Sequence, residues 1–214
     1  AMALAWGGSA IGAANGPAAP FIPNTGQWTQ PFLFKAESGN MAVFMERDRL
    51  SWSMLQADFG DVLHEAHHDH AVPVLSGHAW RVHFEGAQAK GVAGSGASAH
   101  RVNYFLGNDR SRWRSHVPMY QEVTYNALWS GIDLRMVVKE GSFKYDLIVA
   151  PNADVSKAVM RYEGLNGLSL NAEGDLVLLT ALGEVKELSP VAWYGDGAGE
   201  RVSCRYQLEG DRLS

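Results

Sequence analysis

Hydrophobic and polar residues alternate with a period of two in many short runs of this chain, and the clearest case lies between Asn103 and Asp154. Ile132, Leu134, Met136 and Val138 alternate with Asp133, Arg135 and Val137. After Glu140-Gly141 the pattern resumes, with Phe143, Tyr145, Leu147 and Val149 against Lys144, Asp146 and Ile148. Two such runs around a short glycine-containing turn predict a β-hairpin. A two-residue turn sets Val138 opposite Phe143, Met136 opposite Tyr145, Leu134 opposite Leu147 and Ile132 opposite Val149. One face is then apolar, and on the other Arg135 meets Asp146. A slip of one residue would spoil both faces.

The same signature recurs along the chain. Short strands are predicted at 31–36, 41–46, 49–56 and 78–85, and again at 159–163, 167–170, 175–180, 184–188, 190–194 and 201–209. A single helical turn is expected at 155–158. Gly164, Asn166-Gly167, Gly174 and Gly183 punctuate the later strands. Regular short strands with turn signals between them predict an all-β fold, an antiparallel β-sandwich. One irregular or helical excursion is expected near residues 57–73. The Gly/Ala/Ser stretch at 86–99 reads as a flexible loop. Residues 1–20 are small, apolar and glycine-rich. They read either as the remnant of a signal peptide or as a flexible leader, and they are too short for a membrane span. Residues 21–214 then form one β-rich domain.

Composition narrows the function classes. A hydrophobic fraction of 46% over 214 residues is ample for a packed core. The net charge is −5, with Lys and Arg scattered singly, which argues against a nucleic-acid partner. The one cysteine, Cys204, can form no internal disulfide and reads as a small apolar side chain.

Candidate chemistry concentrates in the excursion. His64-Glu65-Ala66-His67-His68 satisfies the HExxH pattern, in which two histidines bind zinc and the glutamate acts as general base. Two features of the residues oppose a hydrolase. Asp69 and His70 stand where the extended motif wants uncharged and apolar residues. A helix here would put its apolar stripe on Leu55, Phe59, Val62 and Ala66, which turns His64 and His68 to solvent. The first reading is a solvated loop without cofactor. The second is a shallow site for zinc or another divalent metal held by His64, His67, His68 or His70, and the third is a zinc hydrolase. Elsewhere, Trp28, Phe44 and Trp52 fall in alternating patterns and are expected in the core rather than on a binding platform. Asp133, Arg135, Lys144 and Asp146 read as cross-strand ion pairs rather than acid–base catalysts. Asn108-Asp109 and Asn152/Asp154 read as turn and cap residues. Trp113 and Trp129 are expected as core or edge cover.

The ordered set NTGQW (24–28), HAWRVHFEGA (78–87), NYFLGND (103–109), GIDL (131–134), the F-YD-IV-P-AD pattern at 143–154, YEGLNGLSLNAEGDLVL (162–178), GEVKELSPVAWY (183–194) and VSCRYQLEGDRLS (202–214) resembles an uncharacterised N-terminal β-domain. That domain is found on large secreted bacterial proteins carrying beta-propeller (SBBP) repeats, PKD-type domains or gliding-motility/type IX sorting domains. The resemblance implies a secreted or cell-surface location in a Gram-negative bacterium, and, because such domains often carry His- and acid-rich runs at the position of residues 64–70, it implies a tolerant loop there rather than a hydrolase centre. It implies downstream repeat domains of the same polypeptide as partners, and matching sequence that runs on past Ser214 into a further strand. On that basis the domain is expected to be truncated at its C-terminal side and to leave a sheet edge open near 201–214. The expected function is a non-enzymatic structural or adhesive module. The alternatives are a glycan- or metal-binding domain, with a surface glycan or protein as partner, and a zinc-dependent hydrolase using residues 64–68.

Overall fold

The computed structural model describes residues 20–58, 74–195 and 200–214 with their side chains, and residues 2–9 by their backbone. In chain order the strands are β1 (Met2–Ser9), β2 (Ile22–Pro23), β3 (Phe34–Ser38), β4 (Met41–Met45), β5 (Arg49–Asp58) and β6 (Val74–Glu85). They continue as β7 (Gly91–Tyr104), β8 (Arg114–Trp129), β9 (Ile132–Lys139), β10 (Ser142–Val149), β11 (Val159–Glu163) and β12 (Gly167–Leu170). The last are β13 (Leu176–Thr180), β14 (Gly183–Glu187), β15 (Val191–Tyr194), β16 (Arg201–Val202), β17 (Leu208–Glu209) and β18 (Arg212–Leu213).

The fold is an all-β antiparallel sandwich. One sheet runs β12-β13-β14-β1-β10-β9-β8-β7, with β15 also on β1 and β16 on β15. The other runs β17-β18-β11-β6-β5-β4-β3-β2. We call them the long and the short sheet.

The predicted hairpin forms in the expected register. Phe143 lies opposite Val138, Tyr145 opposite Met136, Leu147 opposite Leu134, Val149 opposite Ile132, and Asp146 opposite Arg135. Glu140 and Gly141 both take positive φ, 52° and 76°, as a two-residue turn that follows strand twist requires. Arg135 Nη2 donates to Asp146 Oδ2 at 2.8 Å, and Lys144 Nζ lies 3.0 Å from Oδ1.

The inner faces alternate as the period-two pattern demands. In the short sheet one buried row runs across Phe34, Met45, Leu50, Val82 and Tyr162, and the next across Ala36, Val43, Trp52 and Trp80. In the long sheet Val123, Met136 and Tyr145 form one buried row, and Tyr125, Leu134 and Leu147 another. Aromatic rings lock the two together. Trp52 meets Phe143 edge-on at 5.1 Å, and Phe84 meets Tyr125 at 5.4 Å and Trp129 at 5.7 Å. Their polar tips find backbone acceptors on the opposite sheet: Tyr125 Oη donates to Glu46 O (2.7 Å) and Trp129 Nε1 to Glu85 O (2.8 Å).

One buried carboxyl also ties the sheets. Glu187, on β14, accepts from Tyr145 Oη of β10 at 2.8 Å and from Tyr162 Oη of β11 at 3.0 Å. Burial raises its pKa, although both tyrosine hydrogen bonds favour the ionised form.

Some expectations need correction. The stretch read as a flexible loop at 86–99 is largely strand β7, paired along β8 from Gly91↔Asn126 to Ala97↔Tyr120. Its small residues make room for a ring: a Cβ on Gly94 would collide with the Tyr120 side chain. Gly96 takes φ +63° just ahead of the register shift between Ala97 and Arg101. Met2–Ser9, read as part of a leader, is a strand against β10 and β15. β5 and β6 stay paired out to Asp58↔Val74, so the excursion connects two adjacent strands, and its residues 59–73 lie outside those described. The cap readings stand. Asp109 and Asp154 each open a short 3-10 turn and accept from the backbone N–H two residues on. Cys204 is half-buried, with Sγ 3.2 Å from Pro190 O and its thiol pKa pushed up by burial.

Leu134→Ala should cost about 2–5 kcal/mol, as core truncations that leave a cavity do, and urea denaturation measures it. Glu187→Gln tests the buried carboxyl. Its folded pKa is raised above the ordinary 4.5, so the folded state holds the proton more tightly. Its stabilising share is present below that value and is lost as pH rises through the folded pKa. The stability of the wild type relative to Glu187→Gln is therefore expected to fall as pH rises above 4.5 and to level off above the folded pKa. Parallel denaturation curves across that range would show the opposite slope, or none, if the carboxyl were ordinary.

Candidate functional site

The outward side of the short sheet carries a pocket. Strand register brings Lys35, Phe44, Ser51, Arg81 and Glu163 into one transverse row across β3, β4, β5, β6 and β11. These are the alternate positions left over when the inner rows fill the core. At the β3–β4 end the segment 24–32 rises over the row and closes a cavity of about 570 Å³. Trp28, Phe32, Lys35, Phe44, Glu46, Arg49, Ser51 and Arg81 are among its walls.

The NTGQW motif builds one of those walls. Asn24 Nδ2 donates to Gln30 O (2.9 Å) and Trp28 O (3.2 Å), and its Oδ1 accepts from Gly26 N (3.0 Å). Gln27 is buried and donates to Pro23 O at 2.7 Å. Gly26 takes φ +105° against the Arg114 guanidinium, where a Cβ would clash, and Arg114 Nε donates to Thr25 O at 2.7 Å. The loop thus closes on itself and presents Trp28. That ring packs on Phe32 at 5.3 Å and on Tyr104 at 4.9 Å, and Phe32 meets Phe44 at 5.1 Å. Lys35 Nζ sits 5.8 Å from the Trp28 ring centre and 5.4 Å from that of Phe44, within cation–π range of both.

Beside the aromatics lies a charged set. Arg49 Nε donates to Glu46 Oε2 (2.9 Å) and Ser51 Oγ to Glu46 Oε1 (2.7 Å). Partial burial works against ionisation of Glu46, but the hydrogen bonds from Arg49 and Ser51 and the charges of Arg49 and Arg81 outweigh it and hold its pKa below the ordinary range. Arg81 Nη1 lies 3.5 Å from Glu163 Oε1, and both groups are half-exposed, so the pair holds Arg81 only weakly. The pocket therefore offers flat aromatic faces, an ionised carboxylate acceptor and guanidinium donors within one cavity.

Trp28 and Phe44 were expected in the core and instead stand half-buried on this outer face. Trp52 does lie in the core, stacked on Trp80 at 5.9 Å. The pattern misled because a hydrophobic residue at an outward strand position looks like a phase slip. No local pattern marks Lys35, Glu46, Arg49, Ser51 or Arg81, since only register across four strands joins them.

Arg135, Lys144 and Asp146 sit on the outer face of the long sheet as ion-paired neighbours, whereas Asp133, expected among them, accepts instead from the Ala127 N–H at 2.6 Å. The histidine run His64, His67, His68 and His70, with Glu65, lies outside the described residues. Among the described residues no group of three or more His, Cys, Asp or Glu is placed to hold a metal. His83 and Glu85, on β6, are held by other partners: His83 Nε2 lies 2.8 Å from Glu163 Oε2, and Glu85 pairs with Arg161 and Arg212.

The family described as "Domain of unknown function (DUF7948)" matches residues 21–214. The chain belongs to this family. No curated protein and no solved structure matches it. The family match begins at Phe21, which pairs with Tyr120 through two backbone hydrogen bonds, and it takes in the whole pocket.

Arg49→Gln should raise the Glu46 pKa. Without the guanidinium the hydrogen bond and charge of Arg49 no longer oppose burial, and the carboxyl is expected to titrate higher than in the wild type. Carboxyl-carbon NMR on selectively labelled protein reads the shift. An unchanged Glu46 titration would show that the pair does not control it.

Proposed function

We propose that this domain is a non-enzymatic adhesive module of an exported bacterial cell-surface protein, and that it holds a glycan in the pocket on the outer face of the short sheet. The observation that carries the binding part is the set of aromatic faces of Trp28 and Phe44 around Lys35, beside ionised Glu46 and the guanidinium groups of Arg49 and Arg81. A sugar ring has apolar C–H faces and a rim of hydroxyls. Aromatic faces take the first, and carboxylate and guanidinium groups take the second. Sites of this kind are concave and mostly apolar, with a few placed polar groups.

The surface location rests on the resemblance of the ordered motifs, and the downstream repeat domains of the same polypeptide are the partners that reading supplies. A shallow divalent-metal site at His64, His67, His68 or His70 fits an adhesive module equally well, because neutral imidazoles bind zinc near neutral pH.

A glycan array probed with tag-free protein, with and without chelator, tests both parts. Binding to a defined set of glycans is expected to survive chelation. For the strongest of them Trp28→Ala should weaken affinity by about tenfold, about 1.4 kcal/mol, with the thermal midpoint little changed. Absence of any glycan signal would remove the pocket's proposed role. Binding that chelator abolishes and Trp28→Ala leaves intact would move the site to the histidine run.

A further inference from the structure

The long sheet contains a strand that the family match does not include. β1 lies ahead of Phe21, yet it sits inside the sheet. On one side it pairs with β10, from Met2↔Val149 to Trp6↔Tyr145. On the other it pairs with β15, from Met2↔Tyr194 to Ala5↔Val191, and past a register shift Ser9 meets Glu187 of β14. Both neighbours are antiparallel to β1 and therefore parallel to each other. They form no ladder together among the described residues.

The family-matched residues thus leave a slot one strand wide between β10 and β15, about 9–10 Å across. Its walls carry core positions: Tyr145, Leu147, Val149 and Ala192 are all buried. An empty slot would leave two rows of backbone N–H and C=O groups unpaired at the edge of the core, which native sheets avoid by pairing or covering them. Met2–Ser9 suits the vacancy by composition: MALAWGGS has no charge and no proline. Met2, Leu4 and Trp6 take the register positions of Val149, Leu147 and Tyr145.

We propose that the slot between β10 and β15 is a strand-binding site, and that its ligand is the segment Met2–Ser9, exchangeable with the same segment of a second copy of this chain. Strand addition draws its affinity from main-chain hydrogen bonds and its specificity from alternate side-chain positions. The chain between Ser9 and Phe21 can span about 40 Å when extended, enough to reach its own slot or a neighbour's. In dilute solution the tethered segment wins, because the covalent link to its own domain keeps it at an effective concentration of about millimolar. Exchange between copies therefore belongs to concentrated protein or to a crowded surface, and it joins two identical chains by swapping one element.

The test uses the full chain with Cys204→Ala as background. The double variant Ala3→Cys, Ile148→Cys, oxidised in dilute solution, is expected to close a disulfide within one chain. Single variants Ala3→Cys and Ile148→Cys are then mixed in equal amounts at about millimolar concentration, warmed below the unfolding transition and oxidised. The heterodimer linked through those two residues is expected to exceed clearly the half share that random collision gives. Ala3→Cys with Trp193→Cys repeats the experiment against the other wall, should Ile148→Cys perturb folding. A double variant that stays reduced would overturn the placement of the strand. Internal closure with no heterodimer excess would overturn the exchange.

Discussion

The structure depends on closing two apolar sheet faces over each other when several of the largest side chains between them carry a polar atom. Tyr125, Trp129, Tyr145 and Tyr162 are buried, and each must place its donor without water. Tyr125, Trp129 and Tyr162 reach across to the opposite sheet. Tyr145 reaches along its own sheet to the shared Glu187 carboxyl. A buried donor left unsatisfied costs about 1–3 kcal/mol. The two sheets therefore have one relative placement in which these donors are all met, and neighbouring arrangements lose several at once. The aromatic contacts supply the area, and the hydrogen bonds supply the uniqueness.

Glu46 is where core and pocket meet. Its backbone carbonyl takes the Tyr125 hydroxyl from inside, while its side chain faces the pocket and is held by Arg49 and Ser51. Its backbone N–H is also spent, on Arg49 O. The pocket is thus anchored through a residue whose main chain the core already fixes. The NTGQW loop reaches similar rigidity by local bonding through Asn24 and Gln27 and by the Arg114 brace. Trp28 and Glu46 both line a cavity whose walls are held by the protein's own hydrogen bonds and packing, a condition that lowers the ordering cost of binding.

The outer faces differ in kind. On the long sheet, Arg135, Asp146 and Lys144 neutralise each other across the hairpin. On the short sheet the outward rows mix aromatic, cationic and anionic residues, and Lys35, Arg49 and Arg81 crowd around one cavity. Exposed ion pairs such as Arg81–Glu163 contribute little to stability, and the proposed glycan site draws on these groups.

The sequence by itself determined what depends on neighbours two residues apart. The β9–β10 hairpin was legible down to its pairing, because apolar and charged positions separate cleanly in only one register and Glu140-Gly141 admits a tight turn. The all-β class and most strand positions followed from the same local alternation. What the tertiary structure decided is everything that needs a partner distant in sequence. Residues 91–97 look like a loop until β8 lies beside them and Tyr120 fills the space over Gly94. Phe44 looks like core until register across β3, β4 and β5 turns it outward, and Trp28 until the bonded 24–32 loop presents it there. The pocket was invisible for the same reason. Its members come from a loop and four strands, and period-two alternation records which face of a strand a side chain occupies but not which strands lie side by side.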